Sequence, residues 1–222
     1  MPITKQTIAI IGAGGTMGSA IAKSVVSGNY RLLLFDRNTE ELGPVIEQIK
    51  QVHSPEADVA AVNCAHECSW EADIIIMAVP YGAEKGVADT LRDVATQKVI
   101  ISVSNPLNET LDGLVTPPGT SAAEELQRLL PNSKVVKAFN TTFAADFGQP
   151  VIGGKQIDAF IAGNDEEALE IVSELVRTAG FNPVLAGDLS VSGTLERMQL
   201  LLIQLNRNYK YNWLAGWKVL HN

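Results

Sequence analysis

One short string constrains this chain more than any other: Gly12-Ala13-Gly14-Gly15-Thr16-Met17-Gly18. Before it runs an unbroken apolar, β-branched stretch, Thr7–Ile11. After it Met17, Ile21 and Val25 recur every four residues, the spacing of one helix face. A strand that turns through glycines straight into a helix needs a sharp bend and a close helix–strand approach, which residues without Cβ allow. Gly28 is read as the C′ residue that ends this helix. Arg31–Phe35 is a second strand, so strand, helix and strand fit within about 30 residues, the length of a βαβ unit with parallel strands.

The alternation continues. Ile74–Val79 and Val99–Val103 are short buried strands separated by a helical stretch, Ala83–Val94, and a weaker strand is expected before Cys64. The loop Thr116–Thr120 and a helix over Ala122–Leu130, stopped by Pro131, lead to the strand Val135–Phe139. A further unit follows: strand Asp158–Ala162, helix Asp165–Ala179 with Asn164 as its N-cap, and strand Phe181–Leu185. A terminal helix is expected from Ser190 to Asn206. Strands apolar on both faces and separated by helices mark a sheet covered on both sides. The expected fold is therefore α/β, a Rossmann-type doubly wound and mainly parallel sheet. Residues 1–145 would form its dinucleotide-binding domain, and 146–222 a small α/β extension with a terminal helix that closes the substrate cleft.

Composition narrows the partners. A formal charge of −8 argues against a nucleic-acid or anionic-membrane surface, either of which needs clustered Lys and Arg. No apolar run approaches the roughly 18 residues that span a bilayer, and no leader pattern precedes the first strand, so a cytoplasmic address is expected.

In its strand–turn–helix setting the glycine string points to dinucleotide binding, with the amides of Thr16, Met17 and Gly18 aimed at a pyrophosphate. Two registers fit: Gly12, Gly14 and Gly18, or Ala13, Gly15 and Gly18. Asp36, at the end of the second strand, could accept hydrogen bonds from both adenosine ribose hydroxyls and so favour NAD. Arg37 pulls the other way, toward the 2′-phosphate of NADP. Ala78-Val79-Pro80 and Asn105-Pro106 follow the next strands at carboxyl ends, where open α/β sheets hold ligands. Asn105 and Asn140 are either neighbours of the nicotinamide or turn formers.

Several features stand outside that set. Cys64, His66 and Cys68 form CAHEC, read as two thiols in a connecting segment because a structural metal site wants four ligands; no metal is expected. Lys137 and Glu196 are candidate acid–base groups, with ion pairing as the alternative, and no catalytic side chain is assigned. The tail carries Tyr209, Tyr211, Trp213 and Trp217, either a core cover or a homodimer contact, or else part of a ligand site.

Taken together, IIGAGGTMGSAIA (residues 10–22), ADIIIMAVP (72–80), VIISVSNPL (99–107), KAFNTTFA (137–144), DAFIAGND (158–165) and AGDLSVSGTLE (186–196) carry a resemblance over nearly the whole chain. The sequence resembles the NADP oxidoreductase, coenzyme F-420-dependent family, short Rossmann reductases that pass hydride between a nicotinamide and a deazaflavin. The resemblance implies that Gly15–Gly18 bind pyrophosphate, that residues 36 and 37 meet the adenosine ribose or its phosphate, and that Ala78–Pro80 contact the dinucleotide. It also implies that Asn140 and Leu189 border a second, flavin-like site. The cofactor would be NADP or NAD, and the partner a small-molecule acceptor such as coenzyme F-420 or a flavin. Members using NADP often have a small hydroxyl residue before the arginine, where this chain has Asp36. An imine or carbonyl reductase resembling pyrroline-5-carboxylate reductase, and a non-catalytic NAD(P)-binding redox sensor, are the alternatives.

Overall fold

The structure, a computed structural model, describes residues 5–221. The chain runs β1 (Gln6–Ile11), α1 (Thr16–Val25), β2 (Tyr30–Phe35), α2 (Leu42–Val52), β3 (Val59–Ala61), α3 (Ala65–Glu71) and β4 (Ile74–Met77). Then come α4 (Tyr81–Leu91), β5 (Val99–Ser102), α5 (Ala122–Leu129) and β6 (Lys134–Lys137). A small hairpin, β7 (Val151–Ile152) and β8 (Lys155–Gln156), leads to β9 (Asp158–Gly163), α6 (Glu166–Thr178), β10 (Asn182–Gly187) and α7 (Ser192–Tyr209).

Eight strands form one sheet in the order β10-β9-β6-β5-β4-β1-β2-β3. β1 pairs in parallel with β2 on one side and β4 on the other, so the winding reverses beside β1 and opens a crevice at the carboxyl ends of β1 and β4. The central strands are apolar on both faces because both are covered. Ile8 and Ile10 of β1 join the cluster under α1, α2 and α6, while Ala9 and Ile11 face the one under α3, α4 and α5. Each fully buried isoleucine contributes about 1.5–3 kcal/mol, which is why these runs define the strands.

The sheet is parallel except at one seam, where β9 meets β6 antiparallel through Val136↔Gly163 and Lys137↔Ala162. β9 and β10 are again parallel, so residues 158–187 add a complete βαβ unit to the edge of the same sheet.

Some local expectations change. α1 stops at Val25, and Gly28 does not adopt the left-handed C′ conformation. A Cβ there would sit 2.5 Å from the Tyr30 ring, so its role is space. α6 is capped by Asp165, whose carboxylate accepts the Ala168 N–H at 2.9 Å; Asn164 instead accepts the Leu189 N–H at 2.9 Å. CAHEC lies largely in α3 rather than in a connecting segment, with Cys68 buried and His66 3.0 Å from Asp93. The tail is tied down: the Asp158 N–H donates to the Trp217 carbonyl at 2.8 Å and Trp213 stacks edge-on against Phe143 at 5.3 Å.

Candidate functional site

Because β1, β2, β4, β5 and β6 are parallel, their carboxyl-end loops lie along one edge of the sheet. At the end of β1 the chain turns at Gly12, with φ of +90°, and the N–H groups of Gly12 and Ala13 both donate to the Phe35 carbonyl at 2.8 and 3.1 Å. A Cβ on Gly12 would come within 2.5 Å of the Ala78 carbonyl oxygen, and one on Gly18 would collide with the Gly12 carbonyl. Gly12 and Gly18 are therefore the pair the backbone requires. A Cβ on Gly14 would press on the Glu41 side chain, whereas at Gly15 the nearest atom would be 3.3 Å away.

Gly15 caps α1 without a side chain, and the first helical bond runs from Ser19 N–H to the Gly15 carbonyl at 2.9 Å. The N–H groups of Thr16, Met17 and Gly18 thus have no acceptor inside the helix, and no acid occupies the first turn. In contrast, α5 and α6 are capped by the Ser121 hydroxyl and the Asp165 carboxylate. Gly12 holds the turn tight and Gly18 draws the helix onto it, leaving the positive end of the α1 dipole open where an anion fits.

Asp36 closes the far side of this turn. Its Oδ2 accepts the Gly14 N–H at 3.0 Å and its Oδ1 the Asn38 N–H at 2.9 Å, each oxygen keeping capacity for a further donor. Arg37 is exposed beside it. Ala78 anchors the β4 end by donating its N–H to the Ile11 carbonyl at 2.9 Å; with Val79 it is half-buried, while Pro80 is exposed and begins α4.

Across β4, Asn105 and Asn140 form a reciprocal clamp. Asn105 Nδ2 donates to the Asn140 carbonyl at 3.0 Å, and Asn140 Nδ2 donates to Asn105 Oδ1 at 2.9 Å. Asn140 is fully buried with its Oδ1 unpartnered, and Asn105 is half-buried above it; Pro106 is buried. The clamp depends on Phe139, which has φ of +60° and is itself fully buried, packing at 5.7 Å against Phe147. A left-handed phenylalanine costs about 1–2 kcal/mol, held in place here by the aromatic packing. Leu189 opens the 3-10 turn Leu189–Val191, packs into the core and also lines a groove of about 340 Å³ with Asn164, Asp188 and Gln127.

Lys137 and Glu196 are brought together as an ion pair at 2.8 Å, both with no side-chain exposure, so neither can touch a substrate. Sequence reasoning missed Glu84, which is 3% exposed inside α4. Its signal was present: Glu84, Ala88 and Leu91 share one helix stripe, so an acid stands where the pattern asks for an apolar residue.

A doubly wound sheet with a glycine turn and an uncapped helix at its switch point defines a Rossmann-type α/β protein. Residues 7–106 match the model of the family described as NADP oxidoreductase coenzyme F420-dependent. The F420-dependent NADP reductase of Methanocaldococcus jannaschii is 29% identical over 214 residues, covering 91% of this chain and 93% of that protein. The structure of hypothetical protein SMa0349 from Sinorhizobium meliloti superposes with a TM-score of 0.72 at 30% identity, over 86% of this chain and 89% of that one. A structure from Arthrobacter sp. FB24, provisionally assigned as an F420-dependent NADP-reductase, shares the fold with a TM-score of 0.82 at 21% identity, over 97% and 100% of the two chains.

Proposed function

We propose that the chain is an NAD(P)-dependent oxidoreductase that passes hydride between a nicotinamide and a deazaflavin of the coenzyme F420 class, or a flavin-like relative. One observation carries the reading: three consecutive unbonded N–H groups, of Thr16, Met17 and Gly18, stand behind a glycine turn at the sheet's switch point. These amides, with Gly12, Gly14 and Gly15 giving close approach, would hold the pyrophosphate. Asp36 and Arg37 would meet the adenosine ribose. Ala78, Val79 and Pro80 would line the dinucleotide's path, and Asn105, Pro106 and Asn140 would flank its nicotinamide end. Residues 1–145 would supply the dinucleotide site and residues 146–222 the cover over the acceptor side.

The bound cofactors would supply the redox chemistry, since hydride passes directly between two stacked rings. What the protein contributes is orientation and exclusion of water, worth a large part of the barrier when the rings are held at about 3–3.5 Å. Lys137 and Glu196, the two candidate acid–base groups, are both fully buried, which suits that task. A cytoplasmic location, with access to the nicotinamide pool, goes with this reading. So does a homodimer, supported by exposed Leu201, Tyr209, Tyr211 and Trp213 on the last helix and tail; light scattering of the purified protein checks it.

Stopped-flow oxidation of NADPH and NADH against a panel of flavin, deazaflavin and ferric acceptors tests the function. Rapid turnover with a deazaflavin or flavin is expected. Tight nicotinamide binding with no turnover across the panel would leave a sensor instead.

A further inference from the structure

Beneath the Asn105–Asn140 clamp lies a cluster of ionisable groups that the proposed hydride transfer does not use. Lys137, at the end of β6, points its ammonium at three acceptors: Glu196 Oε1 at 2.8 Å, the Ser104 carbonyl at 2.5 Å and the Ser102 hydroxyl at 3.4 Å. All three of its protons are thereby committed. Glu196, from α7, also accepts the Ala122 N–H at the start of α5, at 3.0 Å. Glu84, from α4, faces the same ammonium and the Ser104 hydroxyl, yet its Oε1 and the Ser104 Oγ are buried without a hydrogen-bond partner.

The charges do not balance if every group ionises. Around the single ammonium stand Glu84, Glu196 and Glu125, the last accepting the Tyr81 hydroxyl at 2.6 Å. Lys85 and Arg128 lie at the rim of a groove of about 430 Å³ that Tyr81, Glu84 and Glu125 also line, so Glu84 has a route for proton exchange with solvent. Burial is the main cause that pushes its carboxyl up to about 7, with Glu196 and Glu125 adding to the rise and Lys137 and Ser104 opposing it.

We propose that Glu84, Lys137 and Glu196 form a buried positioning unit that fixes the Ser104–Asn105 stretch at the nicotinamide end of the cleft, and that release of one proton from Glu84 to solvent resets it. With Glu84 neutral, Lys137 and Glu196 balance each other and the ammonium holds the Ser104 carbonyl. Once Glu84 is a carboxylate, Lys137 is the buried cation that faces it, and it can turn toward the new charge only by releasing an acceptor it now holds. Ser104 is the residue before Asn105, so the clamp moves with it. The effect on catalysis rests on the proposed redox function, because it assumes that the clamp flanks a nicotinamide; the switch itself does not.

The test has a cofactor-free arm and a kinetic arm. In wild-type protein labelled with 15N and with 13C at the glutamate carboxyl, one buried glutamate is expected to titrate near neutrality. The side-chain amide signals of Asn105 and Asn140 should move with the same midpoint and stay still in Glu84→Gln, the isostere of the neutral acid. No glutamate titrating above about pH 6, or amide signals that ignore pH or move equally in E84Q, overturns the switch. In single-turnover hydride transfer, the ratio of E84Q to wild-type rate should rise at least about five-fold between pH 6 and 8.5, a comparison that cancels the acceptor's own titration. A flat ratio removes the clamp's link to hydride transfer. If wild-type protein binds no nicotinamide in calorimetry, the redox function fails, while the amide titration still decides the switch.

Discussion

At the scale of single residues, the glycines of the first turn separate by what a Cβ would strike. Gly18 is pressed against the Gly12 carbonyl, so any substitution there disturbs the fold as well as the ligand site. Gly15 is exposed, and a Cβ there would meet the Gly12 carbonyl oxygen at 3.3 Å, tight but without the collision at Gly18, which makes Gly15→Asp the cleaner probe. It is expected to weaken nicotinamide binding by roughly 100-fold or more in calorimetry, through a carboxylate set against a diphosphate, while the melting temperature stays near that of the wild type. Asp36→Ser should raise the ratio of NADP to NAD affinity, because in the proposed site it removes an anion from beside the 2′ position; an unaltered ratio would exclude a ribose contact. The glycine string and Asp36 were legible in the sequence because both follow an apolar strand directly. The left-handed Phe139 was not, since no residue type announces an unfavourable φ that only tertiary packing enforces. Truncation to Phe139→Ala should cost about 3–5 kcal/mol in urea unfolding and weaken nicotinamide binding with it.

At the scale of elements, the long apolar strands and periodic helices could be read directly, and the boundaries fell within a few residues of the structure. What escaped were the pieces whose reasons lie elsewhere in the chain. α3 is short, with its inward face reduced to Cys68 and Ser69, so CAHEC reads as a linker until β4 and α4 are placed around it. The cap of α6 was misplaced by one residue because Asn164 and Asp165 are both good caps; Asn164 is diverted to the Leu189 N–H, a contact 25 residues away in sequence. Asp165→Ala should therefore cost about 1 kcal/mol in chemical unfolding, and Asn164→Ala should act on the 3-10 turn before α7 instead. The Lys137–Glu196 pair was visible only as two unassigned charges, since 58 intervening residues must fold before β6 and α7 meet.

For the whole molecule, two buried carboxyls set an unusual pH dependence. Burial raises Glu84 to about 7, and burial likewise raises Asp146 to about 7 against hydrogen bonds from the Phe143 and Ala215 amides. A carboxyl raised in the folded state binds its proton more tightly than in the unfolded chain. The stability each contributes is complete below its ordinary range, near pH 4, and declines as pH climbs toward 7. The melting temperature is expected to fall between about pH 4 and pH 7, and Glu84→Gln together with Asp146→Asn should flatten that decline in calorimetric scans. In the other direction, hydrogen bonds from Lys218, the Val219 amide and Asn182 hold Asp158 below the usual carboxylate range despite its burial, so the strapped tail should loosen in strong acid. The antiparallel seam joining the C-terminal βαβ unit to the rest of the sheet gives these effects a common pivot. Lys137 pairs with Ala162 on its second rung, so the residue that bears the cluster's positive charge is also the hinge pin between the two halves of the sheet. Any shear of one half past the other has to carry that charge along, which links the mechanical freedom of the C-terminal unit to the buried ion pair at the seam.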